Sequence, residues 1–147
     1  MLDSKRRVLF LCSGNSCRSQ MAEAIVNARF SNRWLALSAG NRPKGFVHPS
    51  VIRVLEETGI QHKGTSKGLD AVKAIPFDLV ITVCGSEGED CPVWLGPGYQ
   101  IHHGYKDPSL VTGTEEEKLT AFRKLRDEMI VELPYLLEKN DAGKMES

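Results

Sequence analysis

Val8-Leu9-Phe10-Leu11 runs directly into Cys12-Ser13-Gly14-Asn15-Ser16-Cys17-Arg18-Ser19, and the change of character between the two stretches decides the fold. Four consecutive apolar residues read as a short strand buried on both faces, the kind found at the centre of a parallel sheet. A polar loop containing one glycine follows. Beyond it Met21, Ala22, Ala24, Ile25 and Ala28 fall at helical spacing. A strand feeding a loop that feeds a helix builds an anion site: loop amides can form a nest, and the helix N-terminus adds positive potential at the same point. Arg18 supplies a planar fork matched to two oxygens of a tetrahedral oxyanion. The same field favours a thiolate at Cys12, the form that acts as nucleophile, and Ser19 can donate to that sulfur. Gly14 and Asn15 both tolerate left-handed backbone, which a loop wrapped around an anion demands. The expected oxyanion-binding set is therefore Ser13, Gly14, Asn15, Ser16, Cys17, Arg18 and Ser19. A Cys-x5-Arg spacing alone arises by chance; its position after a buried strand and before a helix gives it weight.

Working outward, the rest of the chain repeats the alternation. Trp34 to Ala39 alternates as a second strand and ends at Gly40. His48-Pro49 opens a helix with proline in a tolerated first-turn position, and Val51, Ile52, Val54 and Leu55 continue it to Gly59. Phe77 to Val83 is a third strand rich in β-forming residues, and Tyr99 to His102 a weaker fourth. Thr114 and Glu117 form a capping box for a last helix. Its stripe is Leu119, Phe122, Leu125, Met129, Ile130 and Leu133. Pro134 is expected to kink or end it, and residues 140–147 read as a frayed tail. The fold class is α/β, a single domain over 1–147 with a parallel sheet flanked by helices in three layers. Ligands of such sheets sit at the carboxyl ends of the strands, where Cys12, Cys84 and Asp107 all fall.

Composition narrows the function. Of 147 residues 41% are hydrophobic and 26% charged, with Lys plus Arg and Asp plus Glu at 19 each. This neutral balance points to no nucleic-acid or membrane partner and leaves anion binding to local charge. The apolar runs are strand-sized, too short to span a bilayer or serve as a signal-peptide core, so the chain is expected in the cytoplasm. Four cysteines, Cys12, Cys17, Cys84 and Cys91, in a reducing compartment point to catalysis or metal binding rather than structural disulfides. A zinc site using all four is the alternative from another class; the spacings lack the tight knuckles of such sites. No metal and no cofactor are expected. His48 reads as a helix cap, His62 as exposed, and His102 and His103 as packing near the rim. Glu115 to Glu117 read as first-turn helix chemistry.

The Cys12–Ser19 stretch resembles the phosphate loop of the low-molecular-weight tyrosine phosphatase fold. Ser38-Ala39-Gly40 and Asp107-Pro108 extend the likeness over nearly the whole chain. The resemblance implies a four-stranded parallel sheet and Asp107 as general acid, a role a carboxylate beside an anion nest can fill; Asp-Pro is equally a turn initiator. Cys84-Gly85-Ser86-Glu87-Gly88-Glu89-Asp90-Cys91-Pro92 is not needed by a phosphatase. It resembles the thioredoxin-coupled arsenate reductases, as do His103-Gly104-Tyr105, the Gly113-to-Glu117 run, and Arg123, Arg126, Asp127 and Glu128. That family's chemistry implies attack of Cys12 on arsenate, then of Cys84 on Cys12, then of Cys91 on Cys84, with thioredoxin reducing the final disulfide. Phosphate or sulfate should compete for the loop, and a monomer is expected. Cys17 lies outside the relay. The runner-up is a tyrosine phosphatase working through a phosphocysteine, against which Ser109 and Leu110 stand where its phosphotyrosine-specific members carry aromatic residues. Some family members hold potassium behind the loop through residues matching Asn15, Glu23 and Ser38 plus an Asp. Here Lys67 takes the Asp position, and its ammonium is expected to pair with Glu23.

One expectation is conformational. On one continuous helix Cys84 and Cys91 would lie about 10.5 Å apart, whereas a disulfide needs Cα atoms roughly 4.4–6.8 Å apart. A reduced, partly helical 84–91 segment would have to unwind, and Gly85 and Gly88 make that easy.

Overall fold

A computed structural model describes residues 5–85 and 91–141. Four strands, β1 (Arg6–Leu11), β2 (Trp34–Ala39), β3 (Leu79–Thr82) and β4 (Tyr99–His102), form one sheet in the order β2-β1-β3-β4. All pairings are parallel; Leu11 stands opposite Ala39 on one side and Thr82 on the other. The helices are α1 (Arg18–Arg29), α2 (Pro49–Glu56) and α3 (Glu115–Lys139). The chain leaves β1 for β2 on one flank and then crosses to β3 on the other. That reversal opens a crevice at the carboxyl ends of β1 and β3, where α/β sheets hold their ligands.

Side chains alternate across β1 as period-two geometry requires. Val8 and Phe10 join a core with Met21, Ile25, Leu55, Phe122 and Met129 from the three helices. Leu9 and Leu11 face a smaller cluster with Val72, Phe77, Val80 and Trp94. Helices thus cover one face of the sheet, while the other is covered by the 3-10 turn Leu69–Ala71 with its neighbours and by Trp94, set edge-on to Phe77. Phe77 and Val83 flank β3 rather than belong to it, yet both are buried.

Two expectations change here. The last helix does not end at Pro134 but runs on to Lys139. Leu133 and Leu137 are buried on either side of the proline, and that packing outweighs the lost backbone bond, a cost of about 3 kcal/mol. The tail from Asn140 is not wholly frayed. Asp141 is buried, bonded to Arg33 and with Arg6 Nε 3.3 Å from its carboxylate; residues 142–147 lie outside the described ones. The capping box is present, with Thr114 Oγ1 accepting from Glu117 N at 3.1 Å and Glu117 Oε1 accepting from Thr114 N at 2.9 Å.

Candidate active site

Cys12 follows β1 and donates its amide to Ala39 O at 3.3 Å, after which the chain turns away from the sheet. The loop carbonyls are bonded outward. Ser13 O accepts from Arg42 N at 2.9 Å, Gly14 O from Lys44 N at 3.0 Å and Ser16 O from His48 N at 3.0 Å. Asn15 O accepts from Gln20 Nε2 at 3.3 Å. A planar trans peptide points its C=O and N–H to opposite sides, so these bonds turn the amides that follow towards the concave side. Amides turned this way have the arrangement of an anion nest. Only Asn15 takes the left-handed backbone, with φ 46°. At Gly14 a Cβ would lie 3.2 Å from Cε of the flexible Lys44 side chain. Gly40 is needed for space: a Cβ would come within 2.4 Å of Ser13 O.

Inside the loop, Asn15 Nδ2 donates to Ser19 Oγ at 2.8 Å, and Ser19 Oγ sits 2.9 Å from Cys12 Sγ. Because the hydroxyl already accepts from Asn15, its own proton is available to the sulfur. The concave side encloses a cavity of about 60 Å³ lined by Cys12, Ser16, Cys17, Arg18, Lys44 and Asp107 among others. Ser16 Oγ is buried there with no hydrogen-bond partner among the described residues, a state that costs about 1–3 kcal/mol and that an oxyanion in the cavity would relieve.

Arg18 opens α1 and is 3% exposed. Its Nη1 donates to Tyr105 O at 3.1 Å and its Nη2 lies 3.6 Å from Asp107 Oδ2. Asp107 opens the turn expected of Asp-Pro and also lines the cavity. Its Oδ1 caps the 3-10 turn Pro108–Leu110 by accepting from Ser109 N at 2.9 Å and Ser109 Oγ at 2.7 Å, while Oδ2 faces Arg18. Cys17 lines the same cavity, but its thiol is pushed up to about 12, chiefly by burial and then by the Asp107 and Cys12 charges. It stays protonated and cannot serve as a nucleophile.

Cys84 follows β3 and is buried, with Sγ 3.9 Å from the carbonyl of Leu11, the residue before Cys12. It is disulfide-bonded to Cys91 with Cα atoms 5.7 Å apart, whereas Cys12 and Cys17 are free thiols. The described ends of the segment, Cys84, Gly85 and Cys91, are not helical. The proposed helix over its middle falls on 86–90, outside the described residues. Two glycines allow this end of the sheet to close: a Cβ on Gly85 would lie 2.4 Å from Tyr105 O, and one on Gly104 would lie 2.6 Å from Cys84 O. Among the described residues no three His, Cys, Asp or Glu side chains converge as a metal site requires.

Sequence reasoning missed the Tyr105 carbonyl as the tether of Arg18, and it missed Lys44. The Gly85 and Gly104 pair was a signal for the first; nothing local marked the second. His48 caps α2 as expected, its Nδ1 accepting from Ser50 N at 3.1 Å. His62 is not exposed but half-buried, bonded to Gln20 Oε1 at 2.7 Å. His102 meets Thr82 Oγ1 at 2.7 Å and His103 meets Glu132 Oε1 at 2.9 Å. Lys67 Nζ lies 3.7 Å from Glu23 Oε1, to which Ser38 Oγ donates at 2.7 Å. An ammonium already faces that carboxylate, so these residues do not fit potassium.

A parallel α/β sheet whose first strand ends in a cysteine-headed anion loop, with a carboxylate held across the cavity, defines a phosphatase-like class of protein. The chain belongs to the low molecular weight phosphotyrosine protein phosphatase family, whose sequence model matches residues 7–140. Within that breadth, similar proteins carry the name arsenate reductase. One from Halalkalibacterium halodurans is 39% identical over 127 residues, covering 86% of this chain and 91% of the relative. One from Bacillus subtilis is 38% identical over 123 residues, covering 83% and 88%. Among solved structures, an arsenate reductase in the phosphate binding state aligns at TM-score 0.76 and 29% identity, over 92% of this chain and 99% of that one. A low molecular weight protein tyrosine phosphatase from T. tengcongensis aligns at TM-score 0.68 and 26% identity, over 92% and 99%.

Proposed function

We propose that the protein reduces arsenate to arsenite through Cys12, Cys84 and Cys91. The observation that carries this reading is the disulfide between Cys84 and Cys91 just past β3, beside the strand β1 that leads into Cys12. Phosphoester hydrolysis has no use for that pair. The Cys12 thiolate attacks arsenic and displaces an oxygen, which leaves as water after protonation, with Asp107 the acid. Arg18 and the loop from Ser13 to Ser19 hold the oxyanion. The Cys84 thiolate then attacks the Cys12 sulfur. The sulfur–arsenic bonding pair stays with arsenic, which passes from the pentavalent to the trivalent state and leaves as arsenite. The Cys91 thiolate attacks Cys84, expels Cys12 as thiolate and closes the Cys84–Cys91 disulfide. A thioredoxin dithiol takes up the oxidising equivalents by thiol–disulfide exchange. Such a relay suits a monomer in a reducing cytoplasm. No helix among the described residues is long and apolar enough to cross a membrane.

The test is arsenate-dependent NADPH oxidation with thioredoxin and thioredoxin reductase supplied. Cys12→Ser should abolish turnover and any aryl-phosphate hydrolysis. Cys84→Ser and Cys91→Ser should abolish arsenate turnover yet spare slow hydrolysis, because the Cys12, Arg18 and Asp107 cavity survives. Full arsenate turnover by Cys84→Ser would overturn the relay. Brisk hydrolysis without arsenate turnover in the unaltered protein would favour the phosphatase reading.

A further inference from the structure

The charges gathered in the Cys12 cavity do not balance with Arg18 alone. A tetrahedral oxyanion near neutral pH carries more than one negative charge, and the nucleophile beside it attacks as a thiolate. Among the described residues one further cation lines the cavity, and it is Lys44. Its position is built. The strap that carries it is pinned to the rim of the loop by Arg42 N to Ser13 O at 2.9 Å and Lys44 N to Gly14 O at 3.0 Å. Gly45, in the left-handed region at φ 88°, turns the chain immediately afterwards and donates to Ser66 Oγ at 3.1 Å, which in turn donates to Gly14 O at 3.2 Å. The aliphatic stem of Lys44 lies over Gly14, where a Cβ would meet its Cε, Cγ and Cδ at 3.2, 3.3 and 3.4 Å. Gly14 is thus the floor on which this side chain rests. Its charge reaches the cavity walls, for it opposes the burial-driven rise of the Cys17 thiol and adds to the burial-driven fall at His48. No ion pair engages it among the described residues.

We propose that Lys44 is a substrate-binding residue, the second cation of the oxyanion cavity, and that together with Arg18 it carries the negative charge of the bound arsenate. The inference rests on the reading of this cavity as the arsenate site, and deepens it. Arg18 is buried and fixed as a planar fork, so it orients the oxyanion. Lys44 is exposed on a flexible stem over the mouth, so it draws the anion in and offsets the charge that Arg18 leaves unbalanced.

Binding of inorganic phosphate, measured calorimetrically on the oxidised protein in chloride buffer, tests this without requiring turnover. Lys44→Met should weaken phosphate binding roughly ten-fold, the scale of one solvent-screened charge acting on a dianion at contact distance. The arsenate KM should rise in parallel while kcat moves by less than about three-fold, since uniform binding is what is removed. Lys44→Arg should restore affinity, and the charge-matched control Lys73→Met, an exposed lysine beside Asp70 that does not line the cavity, should bind phosphate like the unaltered protein. Unchanged phosphate affinity in Lys44→Met, or equal weakening in Lys73→Met, would overturn the proposal. An absence of arsenate turnover in the unaltered protein would strike the reductase reading alone, because the phosphate comparison does not depend on it.

Discussion

Lys67 shows how much one residue can alter what a loop will accept. Its ammonium stands 3.7 Å from Glu23 Oε1 and donates to Thr65 O at 3.1 Å, and its backbone amide donates to Asn15 Oδ1 at 2.8 Å. A tethered cation thus sits behind the anion loop, joined through Asn15 to Ser19 and so to Cys12. A free monovalent cation would have to displace a charge that cannot diffuse away. Potassium should therefore raise neither the melting temperature nor the activity beyond what sodium does at equal ionic strength. A melting-temperature rise specific to potassium would refute this. Cys17 illustrates the opposite case, a residue inside the loop that its surroundings silence. With its thiol held at about 12 by burial first and by Asp107 and Cys12 next, it remains a packing side chain.

At the scale of elements, α2 and α3 share the apolar core and are also joined by a charge cluster at the end of α2. Glu57 accepts from Arg123 Nε at 3.0 Å and Nη2 at 2.8 Å, and from Arg126 Nη1 at 2.7 Å. Arg126 also donates to Val54 O at 2.9 Å, reaching past the carboxylate to the backbone of α2. These bonds, Arg123 foremost and then Arg126, hold the Glu57 carboxyl down from 4.5 to about 2. Folded Glu57 therefore gives up its charge at lower pH than unfolded Glu57 does. Its contribution is fully present above pH 4.5 and is lost as pH falls from there towards 2. Glu57→Gln should flatten the acid slope of stability in that window and leave it unchanged at higher pH. Urea midpoints collected from pH 6 down to pH 2.5 on both proteins check this; parallel slopes would show that the cluster does not couple α2 to α3.

For the molecule as a whole, the Cys84–Cys91 bond is the element that opens and closes in the relay we propose. Its Cα separation of 5.7 Å lies inside the disulfide range, and neither end is helical. Gly85 packs on Tyr105 O, and Tyr105 O also tethers Arg18. The disulfide end at Cys84 and the Arg18 side chain thereby meet at one carbonyl. Reduction should change amide protection at Cys84, Gly85 and Cys91 and, through this contact, at Tyr105. Hydrogen exchange on the oxidised and dithiothreitol-reduced protein checks it. Identical protection in both states would mean that the relay runs on a rigid frame.

The sequence by itself determined everything that local rules reach. Residues 8–12 show the buried strand because apolar runs and polar loops are read within a few residues. β2 and β4 fall at their expected bounds, and the capping box at Thr114 and the His48 cap depend on neighbours three or fewer positions away. The Cys12-to-Arg18 spacing carries its chemistry in one loop. Tertiary structure decided the contacts that join distant parts of the chain. Arg18 meets a carbonyl 87 residues on, and His62 meets Gln20 across 42. Lys44 lies over Gly14 only because the strap after β2 returns to the loop. Leu133 and Leu137 carry α3 past Pro134, against the local rule, because both sides of the proline are packed. Periodicity and spacing encode which face a residue turns. What it meets there depends on the sheet order β2-β1-β3-β4, which no window of the chain contains.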